Sequence, residues 1–272
     1  FAGAADIVVK PITSTIETNF ALPPISEFEK LIGPRTKAIL ICSPNNPTGY
    51  TYSEEELESL KQICIKYDLF LISDEVYREF YYQGDFAPSV LSLTGVDDKV
   101  IVIDSASKRY SMCGVRIGAI VSRNSEVMET ALKFGQSRLS PPYFGQVAVE
   151  AALEAPDSYY VEVKSEYEKR KDVLTEELGQ IPNIKFSQPF GAFYTMVKLP
   201  VDNAENFCLW LLNNFSHEGE TIMLTPGNGF YVTPGLGNQE VRIAYVINET
   251  KLKRAMKCLA VALEKYPHKT KV

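Results

Sequence analysis

Four consecutive β-branched apolar residues, Val100, Ile101, Val102 and Ile103, run straight into Asp104-Ser105-Ala106-Ser107-Lys108. A short apolar run of this kind reads as a buried strand. A lysine just past a buried strand stands where α/β folds place their ligands. The stretch closes on Gly114-Val115-Arg116-Ile117-Gly118, with a further strand expected over 117–121.

The preceding chain repeats the pattern. Strands are expected at Ile7, Val8 and Val9, over 37–42 and over 69–72. Ser26 with Glu29, and Ser53 with Glu56, match the capping box and predict helices starting there. The second helix is apolar at Leu57, Leu60, Ile63 and Cys64. Strands alternating with helices argue for a mostly parallel sheet covered on both faces. After Ser125 the character changes. Helices are expected over 127–134, 145–153, 157–178, 207–215 and 252–266. Strand-like runs fall at 184–186, 192–199, 221–224 and 240–247. We expect an α/β cofactor-binding domain over 1–155 and a smaller α+β domain over 156–272.

Composition sets limits on function. The 272 residues are 45% hydrophobic and 23% charged, ordinary for a globular protein. A net charge of −6 with no basic patch argues against nucleic acid. No run is long and apolar enough for a membrane span, and no signal peptide is visible, so neither a membrane nor export is expected. The five cysteines are scattered and fit free thiols in a reducing compartment, with no metal spacing. The sequons at Asn214 and Asn248 read as chance matches. The chain opens on Phe1-Ala2-Gly3, with no initiator methionine, and reads as beginning inside a domain.

Several residues carry two readings each. Ser105, Ser107 and Arg116 could hold a phosphate beside Lys108, as pyridoxal phosphate requires for its anchor and its Schiff base. A solvated lysine in a polar loop is the other reading. Asp74, ending an apolar run, could keep a pyridine nitrogen protonated or simply cap a helix. Tyr77 could reach the same ring or belong to the core. Asn46, in Asn45-Asn46-Pro47-Thr48-Gly49, could donate to a ring oxygen or only make a turn. Arg242, inside the apolar run Val241-Arg242-Ile243-Ala244, needs a carboxylate partner, either internal or from a substrate.

Taken in order, Asn46-Pro47-Thr48-Gly49, Ser73-Asp74-Glu75-Val76-Tyr77, Ser105-Ala106-Ser107-Lys108 with Arg116, and Val241-Arg242-Ile243-Ala244 resemble the fold-type I aminotransferases, in particular the aspartate aminotransferase-like family. The resemblance covers essentially the whole chain. It implies the three-layer sheet of a pyridoxal-phosphate transferase large domain and ping-pong transfer of an amino group between an amino acid, aspartate or a similar acidic or aromatic one, and a 2-oxo acid. It makes Lys108 the Schiff-base lysine, Asp74 the pyridinium partner, and Asn46 and Tyr77 the ring-oxygen ligands. Ser105, Ser107 and Arg116 fall to the phosphate and Arg242 to the α-carboxylate. Gly191 falls where backbone approaches substrate. A cytoplasmic homodimer is implied.

In the family a segment preceding the match supplies an N-terminal arm, a loop of phosphate-binding amides and a stacking aromatic. A companion N-terminal fragment is therefore a possible partner, and weak cofactor binding by this chain is expected. A β- or γ-elimination lyase of the same fold, and an inactive fragment, are the alternatives.

Overall fold

The computed structural model describes residues 2–270. The reading of the chain's start rests partly on Phe1, which lies outside the described residues. Ile7, Val8 and Val9 form no strand. No strand lies beside them among the described residues, and a ladder needs a partner; Val8 is 82% exposed. Helix α1 (Ile25–Leu31) begins one residue before Ser26, with Pro24 at the N-cap and no side-chain cap bond, so the Ser26–Glu29 box does not form. A capping side chain must precede the first helical residue, and Ser26 is already inside the helix.

Strands β1 (Ala38–Cys42), β2 (Phe70–Asp74) and β3 (Val100–Ser105) are neighbours and parallel. Between β1 and β2 lies α2 (Glu54–Tyr67). Its capping box is complete: Glu56 N–H donates to Ser53 Oγ at 3.2 Å, and Ser53 N–H donates to Glu56 Oε2 at 2.8 Å. Leu57, Leu60, Ile63 and Cys64 are buried against Ile41, Leu71, Val100 and Val102, which share one face of the sheet. A one-turn helix, α3 (Ala106–Arg109), follows β3 directly. Strand β4 (Gly118–Val121) then returns antiparallel to β3, so the sheet is mixed.

Coverage of this sheet is one-sided. Leu40, Ile103 and Ile120 are exposed, and every residue of β4 is exposed. Helix α4 (Ser125–Arg138) buries no residue, and α5 (Tyr143–Ala152) buries only Gly145. The α/β architecture is the one expected, a sheet with helices, and among the described residues the second face of that sheet stays open at Leu40, Ile103 and Ile120.

A second core is built by α6 (Asp157–Gly179), β5 (Lys185–Phe186), β6 (Tyr194–Lys198), α7 (Ala204–Asn213), β7 (Thr225–Pro226), β8 (Glu240–Ala244) and α8 (Glu249–Lys265). The antiparallel sheet runs β5-β6-β8-β7. The run expected over 221–224 makes no ladder; the strand forms just after it, at β7. Ile222 and Leu224 are buried nonetheless, so their alternation serves packing and not strand pairing. Tyr77 and Phe80, from the loop after β2, are buried in this second core. That loop ties the two sheets together and fixes Tyr77 between them.

Candidate active site

The three parallel strands end side by side, Cys42 opposite Asp74 and Asp74 opposite Ile103. Residues immediately after such ends gather at one rim of the sheet, where open α/β sheets hold ligands. Asn46, Tyr77 and Lys108 all arrive by this route.

Lys108 stands on α3. Its Nζ lies 5.7 Å from the ring centre of Tyr77 and 5.7 Å from that of Phe193. It forms no ion pair among the described residues, because the acids on its own loop are engaged elsewhere. Arg109 Nε lies 2.7 Å from Glu79 Oε1, and Arg109 Nη2 donates to Asp104 Oδ2 at 2.6 Å. The amine is thus left facing aromatic walls.

Asp74 is the last residue of β2, half-buried, and its Oδ1 accepts from Val76 N–H at 3.2 Å. Burial pushes its carboxyl above the usual range, the Val76 bond opposes this, and the Asp104 charge adds to the rise. A cation placed beside Asp74 would reverse that shift. Tyr77 is 3% exposed, and its hydroxyl lies 3.1 Å from the hydroxyl of Tyr194. Burial first, then that hydrogen bond, push the Tyr77 phenol well up, so the hydroxyl stays protonated; either oxygen can be the donor in its bond with Tyr194.

Arg242 Nη1 donates to Asn46 Oδ1 at 2.9 Å. This orients the Asn46 amide, whose N–H donors then have no partner among the described residues. The guanidinium carbon lies 4.5 Å from the ring centre of Tyr194 and 5.0 Å from that of Phe230. Arg242 forms no ion pair among the described residues, and its Nε is buried without a hydrogen-bond partner. Of the two readings the sequence leaves open, an internal carboxylate is therefore not found there.

The remaining residues are placed differently. Ser105 Oγ caps α3, accepting from Ser107 N–H at 3.1 Å and donating to the Ile117 carbonyl at 3.1 Å. Arg116 is exposed, sits in the left-handed region at φ 59°, and donates to the Cys113 carbonyl at 2.8 Å. Gly191 packs backbone to backbone: a Cβ there would lie 2.6 Å from Pro44 Cβ and 2.7 Å from the Phe80 carbonyl oxygen. Its small size lets the loops carrying Asn46 and Tyr77 close on each other. The structure therefore brings Lys108, Tyr77, Asn46 and Arg242 into one connected group, while Arg116 stands apart on its own turn.

Phe193, Tyr194 and Phe230 belong to this group and were not singled out from the sequence. The adjacent aromatics after Gly191 were the available signal, but they read as strand filling until the β6–β8 pairing is known. Two depressions of about 310 and 390 Å³, one beside Trp210 and His268 and one beside Pro34 and Asp68, touch none of these residues. Among the described residues no cluster of His, Cys, Asp and Glu is arranged for a metal, and no helix is long and apolar enough to cross a membrane.

Residues 6–259 match the family model for aminotransferase class I and II. The aspartate aminotransferase of Thermotoga maritima is 35% identical over 250 residues, covering 91% of this chain and 61% of that protein. A probable aspartate/prephenate aminotransferase of Thermus aquaticus is 31% identical, covering 97% of this chain and 65% of that protein. The crystal structure of the Thermotoga enzyme superposes with a TM-score of 0.85 at 30% identity, over 96% of this chain and 65% of that one. The chain thus spans less than two thirds of the length of these relatives.

Proposed function

Because the chain belongs to the class I and II aminotransferases, we propose that its site binds pyridoxal 5′-phosphate and moves an amino group between an amino acid and a 2-oxo acid. The observation that carries this reading is Arg242. A half-buried guanidinium between two aromatic rings, with a buried unpartnered Nε and no acid paired with it among the described residues, suits an incoming carboxylate taken by its planar fork. The donor set fits the cofactor's ring: an acid for the pyridine nitrogen at Asp74, donors for the ring oxygen at Asn46 and Tyr77, and an amine at Lys108. The phosphate side is thinner. Ser105 is committed to its cap, so Ser107 and Arg116 are the donors left for the phosphate.

Pyridoxal phosphate, when bound, supplies the electron sink that makes the substrate Cα–H acidic. In this site Lys108 would take the proton from Cα of the amino acid in one half-reaction and deliver one to the corresponding carbon of the 2-oxo acid in the other. Arg242 would hold the α-carboxylate and so orient the substrate in the site. Asp74 would hold the cofactor's ring by its nitrogen, and Asn46 and Tyr77 by its oxygen. Gly191 acts by letting the Pro44 and Phe80 loops close beneath the site. The names of the relatives support transamination over elimination, and aspartate or a similar acidic or aromatic amino acid as substrate. In this reading residues 1–155 form the cofactor domain and 156–272 the smaller one, in a cytoplasmic homodimer. A companion N-terminal segment would complete the phosphate site.

The test is to add pyridoxal phosphate, reduce with borohydride and map the modified lysines. Lys108 should be labelled ahead of every other lysine, but only at high cofactor concentration, because the phosphate donors are few. Label spread evenly over the surface lysines would remove the site reading. Stoichiometric labelling of Lys108 at low concentration would instead overturn the expectation of weak binding.

A further inference from the structure

Tyr194 touches both ends of the proposed site. It opens β6 opposite Ala244, while Arg242 lies opposite Met196 two residues along. Residues two apart on a strand share a face, and diagonal neighbours across a ladder lie within reach of long side chains. Tyr194 and Arg242 are such a pair. The guanidinium carbon sits 4.5 Å from the Tyr194 ring centre, a cation–π contact strengthened by the exclusion of water, since Tyr194 is 7% exposed. At the other end, the Tyr194 hydroxyl meets the Tyr77 hydroxyl at 3.1 Å and has no other hydrogen-bond partner among the described residues.

One phenol donates a single proton. If Tyr77 gives its proton to the ring oxygen, the Tyr194 hydroxyl must donate into the Tyr77 oxygen. A donor that itself accepts a hydrogen bond is polarised toward stronger donation. The same side chain therefore sets the Tyr77 hydroxyl with its tip and seats Arg242 with its face.

We propose that Tyr194 is a positioning residue that couples the carboxylate-binding arginine, Arg242, to the ring-oxygen donor, Tyr77. The coupling rests on the functional reading above and adds a residue to it. Two substitutions separate the two ends: Tyr194→Phe removes the hydroxyl and keeps the ring, and Tyr194→Leu removes both.

The experiment uses the chain saturated with pyridoxal phosphate. One readout is the pH midpoint of the absorbance of the lysine-bound cofactor. The other is the affinity for succinate, a dicarboxylate with no amine to react, measured by calorimetry. In Tyr194→Phe the midpoint should rise, equivalent to about a three- to tenfold change in proton affinity, the worth of one hydrogen bond. Succinate affinity should stay within about twofold of the parent, since the ring still faces Arg242. In Tyr194→Leu succinate should also bind about three- to thirtyfold more weakly, as expected for a desolvated cation–π contact. An unchanged midpoint in the Phe variant, or unchanged succinate affinity in the Leu variant, overturns the coupling, because it requires both ends. Lys108→Ala is the separate control. If the absorbance persists there, the functional reading fails and the Tyr194 proposal fails with it.

Discussion

Asp74 is a half-buried carboxyl with no cation paired to it among the described residues. Burial raises its carboxyl above the usual value of 3.8, so the folded chain holds that proton more tightly than the unfolded chain. Stability contributed by such a group is present below the unfolded value and declines as pH rises through the raised folded value. Above that window the ionised Asp74 destabilises the ligand-free protein. Asp74→Asn keeps an oxygen acceptor for the Val76 N–H and removes the charge. The variant should therefore match the parent in Tm at pH below 3.8 and melt higher at pH 7. Saturating pyridoxal phosphate should reverse the order at pH 7, because only the carboxylate gains from a pyridinium cation. A parent that melts above Asp74→Asn at pH 7 without cofactor would show that Asp74 already has a compensating partner.

At the scale of elements, the site depends on how the turn carrying Lys108 is tied to the loop carrying Tyr77. Helix α3 is four residues long and has little stability of its own, since helices this short are marginal in water. Arg109 supplies the tie. It reaches Glu79 on the Tyr77 loop and Asp104 at the end of β3, with its side chain only 23% exposed. Removing one member of a largely buried ionic group leaves the others uncompensated; the cost reaches about 3 kcal/mol when burial is complete. Arg109→Ala should approach that cost by urea denaturation. Arg109→Leu with Glu79→Leu and Asp104→Leu together should recover much of the loss, because no buried charge is then left alone. A cost below about 1 kcal/mol for Arg109→Ala would place these ions among ordinary surface pairs.

At the scale of the molecule, the apolar face is uneven. Phe144 is 86% exposed and Phe134 74% exposed, and β4 has a free edge among the described residues. Exposed apolar surface and an unpaired strand edge both favour association. The proposed homodimer and companion segment would draw on this surface. We expect sedimentation of this chain to show association that rises with protein concentration, and Phe134→Ser with Phe144→Ser to reduce it. A monomer across the micromolar range would argue that neither partner is needed to shield this face.

The sequence by itself determined the elements and most of their order. Leu57, Leu60, Ile63 and Cys64 specify the buried stripe of α2 because a helical period admits only one face. Ser53 and Glu56 fix its start because both cap bonds are local. The three strand ends carrying Asn46, Asp74 and Lys108 were legible for the same reason: short apolar runs bounded by turn residues depend only on near neighbours in the chain. Pairing decided the rest. Ile7, Val8 and Val9 read as a strand, but a strand exists only beside another. Ser26 read as a cap, but Pro24 takes the N-cap position two residues earlier. Arg242 left two readings open until tertiary contacts showed Asn46, Tyr194 and Phe230 around it and no acid. Tyr194 carried no signal of its own. Its place between Tyr77 and Arg242 comes from a β6–β8 register joining residues far apart in the chain, and no local pattern encodes a register between strands so far apart.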